Sequence, residues 1–149
     1  MTVPIKFTLT HPDAVPPAYA HEGDSGFDLY SVEEAIQLLP HERRIFRTGL
    51  RFELPPGYEL QIRPTSGASA KTNRTVHFGT LDSGYRGECG VIVENSSVYV
   101  ITIQKGAKMA QGVIMPVPAV QFIEVEAHKL SLTSRGENGF GSTEKEGMA

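Results

Sequence analysis

Apolar and polar side chains alternate along most of this chain, which is the pattern of half-buried β-strands. Residues 1–10 alternate in this way, and Pro4 within the run predicts an edge strand because proline cannot donate to a strand ladder. Further strand-like runs cover residues 27–31, 36–39, 44–54, 58–63, 90–94, 98–103 and 110–125. The pattern therefore predicts an all-β fold, either a sandwich or a barrel.

The links between these runs contain turn residues. Pro55-Pro56-Gly57 predicts a turn between two strands, since proline presets φ and glycine accepts the left-handed region. Asn95-Ser96-Ser97 lies between two β-branched runs and predicts a hairpin. Only residues 68–75 contain enough helix formers to suggest a short helix.

The end of the chain differs in composition from the rest. Residues 131–149 consist mainly of Gly, Ser, Thr and charged residues, with Phe140 as the one large aromatic side chain. Such a segment cannot bury enough apolar surface to order itself. We therefore expect a β domain over residues 1–130 and a flexible C-terminal arm over residues 131–149. An arm with an aromatic residue and an arginine is a candidate lid, and a frayed tail is the alternative.

Composition and charge narrow the class of protein. The 15 Gly and 10 Pro in 149 residues favour short strands over long helices. A formal net charge of −3 argues against a nucleic-acid binder, although it leaves room for a small polyanionic ligand. The one cysteine, Cys89, can form neither an internal disulfide nor a cysteine zinc site. No run approaches the roughly 18 apolar residues that span a bilayer, so we expect a cytoplasmic protein with no membrane partner.

Two short segments next to predicted strands carry candidate chemistry. Asp28 lies between a glycine turn and a strand, where a carboxylate is most often part of a solvated turn. Ser66-Gly67 follows a strand and offers a hydroxyl and backbone N–H groups to a phosphate. Ser66 is equally suited to cap the short helix, so both interpretations stay open.

The densest polar segment is residues 79–88, which pack two acids, an arginine, a tyrosine and three glycines between strands. Loops on a rigid β scaffold are common places for binding and catalytic groups. A carboxylate here could position a water and the tyrosine could support a sugar or base, whereas a solvent-facing hairpin is the plain alternative.

Residues 134–143 combine an arginine, glycines and hydroxyls that suit an anion. The five histidines lack the spacing of a transition-metal site.

Taken together, these segments resemble the trimeric deoxyuridine triphosphatase family over almost the whole chain. Five segments match the family's motifs in order: residues 25–29, 64–68, 79–88, 105–111 and 135–143. The resemblance implies a jelly-roll-like β-barrel that forms a homotrimer with sites shared between subunits. It also implies a Mg²⁺-dependent dUTP diphosphatase, which hydrolyses dUTP to dUMP and pyrophosphate, keeps uracil out of DNA and supplies dUMP for dTMP synthesis.

The same resemblance assigns roles to residues. Asp82 would orient the attacking water, Tyr85 would stack on the deoxyribose, and Asp28 would hold waters of the Mg²⁺ ion. Main-chain groups of the Thr75–Leu81 hairpin would recognise uracil. The remaining substrate contacts implied are Ser66, Gly67, Gly79, Thr80, Leu81, Gln111, Arg135, Phe140, Gly141, Ser142 and Thr143.

The chain departs from the family pattern at several positions. Thr65 stands where the second motif usually has an arginine, and Arg63, two residues earlier, is the expected substitute. Gly84, Ala107 and Asn138 also replace usual motif residues. One alternative function is a dCTP deaminase, although its motifs are not found. Another is a trimeric regulatory module that keeps the nucleotide pocket without catalysis.

Overall fold

A computed structural model describes residues 2–139. The chain divides into two units, Met1–Ala119 and Val120–Ala149. Ten strands lie in the first unit: β1 (Lys6–Leu9), β2 (Phe27–Tyr30), β3 (Ile36–Leu38), β4 (Arg43–Glu53), β5 (Tyr58–Arg63), β6 (Arg74–Val76), β7 (Gly79–Leu81), β8 (Glu88–Asn95), β9 (Ile101–Ile103) and β10 (Lys108–Pro116). One short helix, α1 (Ser66–Lys71), follows β5.

The strands of the first unit form three antiparallel sheets. One four-stranded sheet has the order β1-β4-β8-β6, and the other has the order β2-β10-β5-β7. A two-stranded sheet pairs β3 with β9. Strands that are distant in sequence are neighbours in these sheets, as in a jelly roll. The predicted all-β, jelly-roll-like fold with one short helix is confirmed.

A single apolar core contains side chains from both four-stranded sheets. Phe46 of β4 and Val91 of β8 come from one sheet, and Leu29, Leu60 and Met109 come from the other. In β8, partly buried and buried positions alternate along the whole strand. Because successive side chains of a strand point to opposite faces, such alternation gives each sheet one apolar face for the core.

The first strand lies at a sheet edge, as Pro4 predicts. Its apolar face is less buried than its alternation suggests, since Phe7 and Leu9 are 44% and 45% exposed. Phe7 lines an apolar groove of about 500 Å³ together with Phe52 and Tyr58. The alternation correctly indicates a strand with two unlike faces, but burial also requires a covering element.

The hairpin predicted at residues 95–97 is wrong. β8 pairs with β4 and β6, whereas β9 pairs with β3. The cause is Asn95, whose fully buried side-chain amide donates to the carbonyl oxygens of Leu38, Leu39 and Tyr99 at 3.1, 3.1 and 2.6 Å. These bonds direct the chain into another sheet instead of back along β8.

The second unit begins soon after β10. Pro116 ends that strand, and Pro118 follows, so the apolar alternation predicted to continue to residue 125 forms no strand within the described residues. The described part of this unit contains one 3-10 turn, Ala127–Lys129, and Phe122 is 94% exposed. The second unit thus begins at Val120, and the arm expected over residues 131–149 lies within it and stays a prediction. Within residues 2–139 there is no apolar helix of bilayer-spanning length.

Candidate active site

A cleft of about 700 Å³ in the first unit brings three of the predicted motifs together. Its lining residues come from segments 20–28, 65–74 and 108–111. Strand β10 causes this meeting, because Gln111 is opposite Asp28 of β2 on one side and Arg63 of β5 on the other. The first, second and fourth motifs thus share one cleft, although they are far apart in sequence.

The structure shows that Ser66 is not the residue that caps α1. The residue that caps α1 is Thr65, which has an extended backbone and whose Oγ1 accepts a hydrogen bond from the Ala68 N–H at 3.2 Å. Ser66 is exposed and lines the cleft beside Gly67. Its hydroxyl is therefore not required for capping.

Gln111 is held in place by the other two motifs. Its Nε2 donates to the carbonyl oxygen of Pro64 at 3.0 Å. Gly26 lies directly against it, since a Cβ at position 26 would come within 2.7 Å of Gln111 Oε1 and 3.1 Å of the Gly112 carbonyl oxygen. The glycine in the first motif is thus needed for this close approach.

The cleft contains more cationic side chains than the sequence analysis identified. Lys108 Nζ contacts Asp28 Oδ2 at 2.8 Å, and this hydrogen bond raises the pKa of Lys108. Lys71 and Arg74 line the cleft from the segment of residues 65–74. Arg74 is partly buried, and burial lowers its pKa. No predicted motif includes these two residues: Lys71 is the last residue of α1, and Arg74 begins the strand after it.

The acidic groups of the cleft suit a Mg²⁺ ion that arrives with a substrate. No three His, Cys, Asp or Glu side chains converge as a metal site within residues 2–139. Mg²⁺ commonly uses one or two carboxylates, with waters and substrate phosphates completing its shell. Asp24 and Asp28 line the cleft. Asp28 contacts Lys108 and Tyr30, which leaves acceptor capacity because a carboxylate accepts about four hydrogen bonds.

The third motif forms a compact loop after β7. The Tyr85 N–H donates to the Asp82 carbonyl oxygen at 3.0 Å, and the Tyr85 hydroxyl donates to the Glu88 carbonyl oxygen at 3.3 Å. Arg86 donates to the Ser83 carbonyl oxygen at 2.6 Å. The Asp82 side chain is exposed and Tyr85 is 48% exposed, so the loop presents a carboxylate and an aromatic ring together.

The end of this loop is anchored to β4 through Glu88. Its carboxylate accepts hydrogen bonds from Arg47, the Gly49 N–H and Thr10 at 3.1, 2.9 and 3.2 Å. Burial acts to raise the pKa of Glu88, but the bonds from Arg47, Gly49 and Thr10 outweigh it and lower the pKa. Glu88 is therefore an ionised structural anchor.

Strand β7 lies at the edge of its sheet and pairs only with β5. An edge strand leaves part of its backbone N–H and C=O groups without a strand partner. Gly79, Thr80 and Leu81 therefore offer main-chain groups next to the loop. The expected Thr75–Leu81 hairpin is wrong as a paired unit, since β6 belongs to the other four-stranded sheet.

Within one chain, the loop and the cleft are separate. Leu81 pairs with Leu60, the third residue of β5, whereas Ser66 follows the end of that strand. The three residue steps from Leu60 to the end of β5 at Arg63 span about 10 Å. Neither Asp82 nor Tyr85 lines the cleft.

Comparison with known proteins then decides the family. A sequence profile described as dUTPase matches residues 13–144. The chain belongs to the dUTPase family.

Curated relatives and solved structures agree with this family. The chain is 47% identical over 141 residues to a deoxyuridine 5'-triphosphate nucleotidohydrolase of Picosynechococcus sp., covering 93% of this chain and 97% of the relative. It is 48% identical over 136 residues to that of Clostridium novyi, covering 90% and 94%.

The fold is also similar to those of solved phage dUTPases. A point mutant of the Staphylococcus bacteriophage 80alpha dUTPase with dUpNHpp gives a TM-score of 0.88 at 27% identity, covering 95% of this chain and 99% of that one. A mutant of the phage phi11 dUTPase of S. aureus, described with a structural Mg(II) ion, gives a TM-score of 0.77 at 25% identity, covering 85% and 99%.

One expected dUTPase-family contact has a different environment in this structure. Arg63 donates from Nε to Gln61 Oε1 at 2.8 Å and makes a second, short bond from Nη2 to the same oxygen. Side chains at positions 61 and 63 lie on the same face of β5, which explains the pairing. Arg63 does not line the cleft, so the geometry does not support it as the substitute for the missing arginine.

The fifth dUTPase-family motif lies in the second unit. Arg135 Nε donates to the Asn138 carbonyl oxygen at 3.1 Å, within a turn that Gly136 allows with a positive φ of 53°. Phe140, Gly141, Ser142 and Thr143 lie outside the described residues, and their expected roles remain predictions.

Proposed function

We propose that this protein hydrolyses dUTP to dUMP and pyrophosphate in a Mg²⁺-dependent reaction. The observation that carries the proposal is the loop from Asp82 to Glu88, which holds an exposed carboxylate and an exposed aromatic ring within one hydrogen-bonded turn. The cleft with Ser66, Gly67 and Gln111 supports it with groups suited to phosphates.

In the proposed reaction, the Asp82 carboxylate orients a water molecule in line with the α-phosphorus. The water oxygen bonds to phosphorus while the bond to the bridging oxygen breaks, so pyrophosphate leaves and dUMP remains. The carboxylate accepts the proton of the water. A positioned general base typically contributes about 10²–10⁴-fold. Because phosphoryl transfer depends chiefly on positioning and charge stabilisation, this single group can control turnover.

The cleft binds the triphosphate in this proposal. The Ser66 hydroxyl, the Gly67 N–H and the Gln111 amide donate to phosphate oxygens, and Asp28 holds water bound to Mg²⁺. The ion, when bound, neutralises charge on the phosphates. The bond between Gln111 and Pro64 keeps the amide close to Ser66, so that the donors are fixed before the substrate arrives.

Substrate choice comes from the loop and β7. The Tyr85 ring packs against the deoxyribose and leaves no room for a 2'-hydroxyl. Main-chain groups of Gly79, Thr80 and Leu81 pair with the polar edge of uracil. Cytosine would leave donors or acceptors unpaired, at a cost of about 1–3 kcal/mol for each buried group.

We further propose that a site combines different copies of this chain. The support is that neither Asp82 nor Tyr85 lines the cleft of the same chain, although β7, which precedes Asp82, pairs with β5. A homotrimer follows from the resemblance to trimeric enzymes, as does closure by an arm with Arg135, Phe140, Gly141, Ser142 and Thr143. The cytoplasmic location also remains a prediction.

The test of the activity is pyrophosphate release from dUTP, dTTP, dCTP and UTP, with Mg²⁺ and with excess chelator. We expect release from dUTP alone, and only with the metal. Ammonia release from dCTP would instead establish a deaminase. Binding of dUTP without pyrophosphate release would establish the regulatory module.

The test of the shared site is coexpression of two inactive variants. Asp82→Asn disables the loop, and Ser66→Ala with Gln111→Ala disables the cleft. Random assembly unites both intact parts in about one site in four, so we expect about a quarter of wild-type activity in the mixture. A site within one chain gives no recovery above the two separate variants.

A further inference from the structure

The cleft has a cation without an identified role. Arg74 is the first residue of β6 and lines the cleft from the segment that follows α1. It is partly buried, and its side chain has neither a hydrogen bond nor an ion pair within residues 2–139. A partly desolvated guanidinium without an anion is unfavourable unless a ligand supplies one.

The burial of Arg74 has an electrostatic consequence. Burial alone lowers its pKa, with no compensating contribution from an acid. The backbone around it is fixed, because the Arg74 N–H donates to Thr72 Oγ1 at 3.3 Å and residue 74 is opposite Asn95 in the sheet. The Arg74 side chain therefore projects from a fixed backbone position in β6 and lines the cleft.

The other basic side chains near the cleft differ from Arg74. Lys108 is paired with Asp28, and Arg63 is bonded to Gln61 outside the cleft. Lys71 is exposed at the end of α1. Thr65, which stands where the family motif has its arginine, caps the helix and brings no charge. Arg74 is thus the guanidinium that the cleft holds ready for an anion.

We propose that Arg74 contacts the β- and γ-phosphates of dUTP and replaces the arginine that this chain lacks at position 65. The inference rests on the proposed function. Arg74 and Thr65 lie on opposite sides of α1 in sequence, and both line the same cleft. In this proposal the positive charge comes from the strand that follows α1, whereas the family motif has it at the start of the helix.

The experiment compares wild-type protein with Arg74→Gln, Arg74→Lys and a matched control, Arg43→Ala. Arg43 is exposed, pairs with Glu94 and does not line the cleft. A charge-assisted hydrogen bond corresponds to roughly tenfold or more in affinity. We expect Arg74→Gln to raise KM for dUTP about tenfold while kcat changes less than about threefold. We expect Arg74→Lys to recover part of the loss and Arg43→Ala to behave as wild type.

Calorimetric binding separates a phosphate contact from a structural role. We expect Arg74→Gln to bind dUpNHpp about tenfold more weakly and dUMP, which lacks the outer phosphates, unchanged. The unfolding midpoint without nucleotide should equal or exceed that of wild type, because an unpaired desolvated charge is removed. Equal weakening for both ligands, or a lowered midpoint, would overturn the inference.

Restoring the motif arginine gives a second, independent test. In Arg74→Gln combined with Thr65→Arg, the guanidinium returns from the other end of α1, and KM should fall relative to Arg74→Gln alone. No difference between Arg74→Gln and Arg43→Ala would refute the role of Arg74 and leave dUTP hydrolysis intact. If wild-type protein neither binds nor hydrolyses dUTP, the proposed function itself fails.

Discussion

The loop from Asp82 to Glu88 and the cleft beside α1 are built in different ways. The loop is one continuous segment whose backbone bonds join Tyr85 to Asp82 and to Glu88. The cleft draws on three segments that lie up to about ninety residues apart and meet only because β10 pairs with both β2 and β5. The loop is thus a product of local sequence, whereas the cleft is a product of sheet register.

The difference also separates two kinds of chemistry. The loop presents one exposed carboxylate and uses its own arginine, Arg86, to bond its backbone. The cleft gathers Lys71, Arg74 and Lys108 around two carboxylates. Changes in the loop should therefore act mainly on turnover and sugar contact, and changes in the cleft should act mainly on triphosphate affinity.

The largest effect is expected for Asp82→Asn. Loss of the base should lower kcat by about 10²–10⁴-fold and leave dUpNHpp affinity within about threefold, because only the water loses its partner. The exposed position implies an unchanged unfolding midpoint. Steady-state kinetics and calorimetry check this, with Asp13→Asn outside the site as the control. Wild-type turnover in Asp82→Asn would remove the loop from the mechanism.

The next effect is expected for Gly87→Ala. A Cβ at position 87 would overlap the ring and hydroxyl of Tyr85, so the ring must leave its place. We expect kcat/KM for dUTP to fall roughly 10–100-fold, since sugar positioning is lost. Gly84→Ala in the same loop is the control, because a Cβ there meets nothing within 4 Å. Equal activity of both variants would show that the Tyr85 position is unimportant.

A smaller effect is expected for Gly26→Ala in the cleft. Its Cβ would displace Gln111, which is the phosphate-binding amide of the proposal. We expect KM for dUTP to rise about tenfold with little change in kcat, as for a lost hydrogen bond to a charged group. Kinetics on Gly26→Ala beside Gly84→Ala measure it. A selective fall in kcat would contradict the division of labour between cleft and loop.

The smallest effect on activity is expected for Glu88→Gln. Its lowered pKa stabilises the fold above the ordinary value of 4.5, and this stabilisation disappears as pH falls through the folded pKa. We expect a loss of about 1–3 kcal/mol in the free energy of unfolding near pH 7, and a shallower decline than wild type below about pH 4.5. Urea unfolding at several pH values measures this.

The control for Glu88→Gln is Glu53→Gln, which breaks the exposed pair with Lys6. An exposed pair is screened by water, so its loss should change stability less than the loss of Glu88. Equal losses would show that the anchor of the loop is no stronger than a surface contact.

Much of the fold follows from local pattern. Alternation along β4, β5 and β8 predicts their existence, and Pro4 predicts the edge position of β1. The pairing of the strands does not follow from local pattern, as Asn95 shows. A polar residue between two strand-like runs indicates a hairpin, yet its amide bonds three distant carbonyl groups and sends β9 to β3.

The residues of the candidate site also fall into those that the sequence predicts and those that only the structure identifies. Asp82 and Tyr85 lie in one dense segment and are recognisable from sequence, and the juxtaposition of Asp28, Ser66 and Gln111 follows from the family resemblance. The assignment of Arg63 as a substitute rested on its closeness in sequence to Thr65, but the strand directs its side chain to Gln61. Arg74 was not recognisable from the sequence, because no neighbouring residue indicates that an arginine at the start of a strand lines a cleft.

The sequence by itself determined most of the longer strands, the turn at Pro55-Pro56-Gly57, the contiguous loop and the family. These depend on side-chain periodicity, on backbone preferences and on residues that are adjacent in the chain. Only the tertiary structure decided which strands pair, which residue caps α1, and which cations face the cleft. Those outcomes depend on hydrogen bonds and burial between segments that are distant in sequence, where one buried amide or one strand register outweighs local preference.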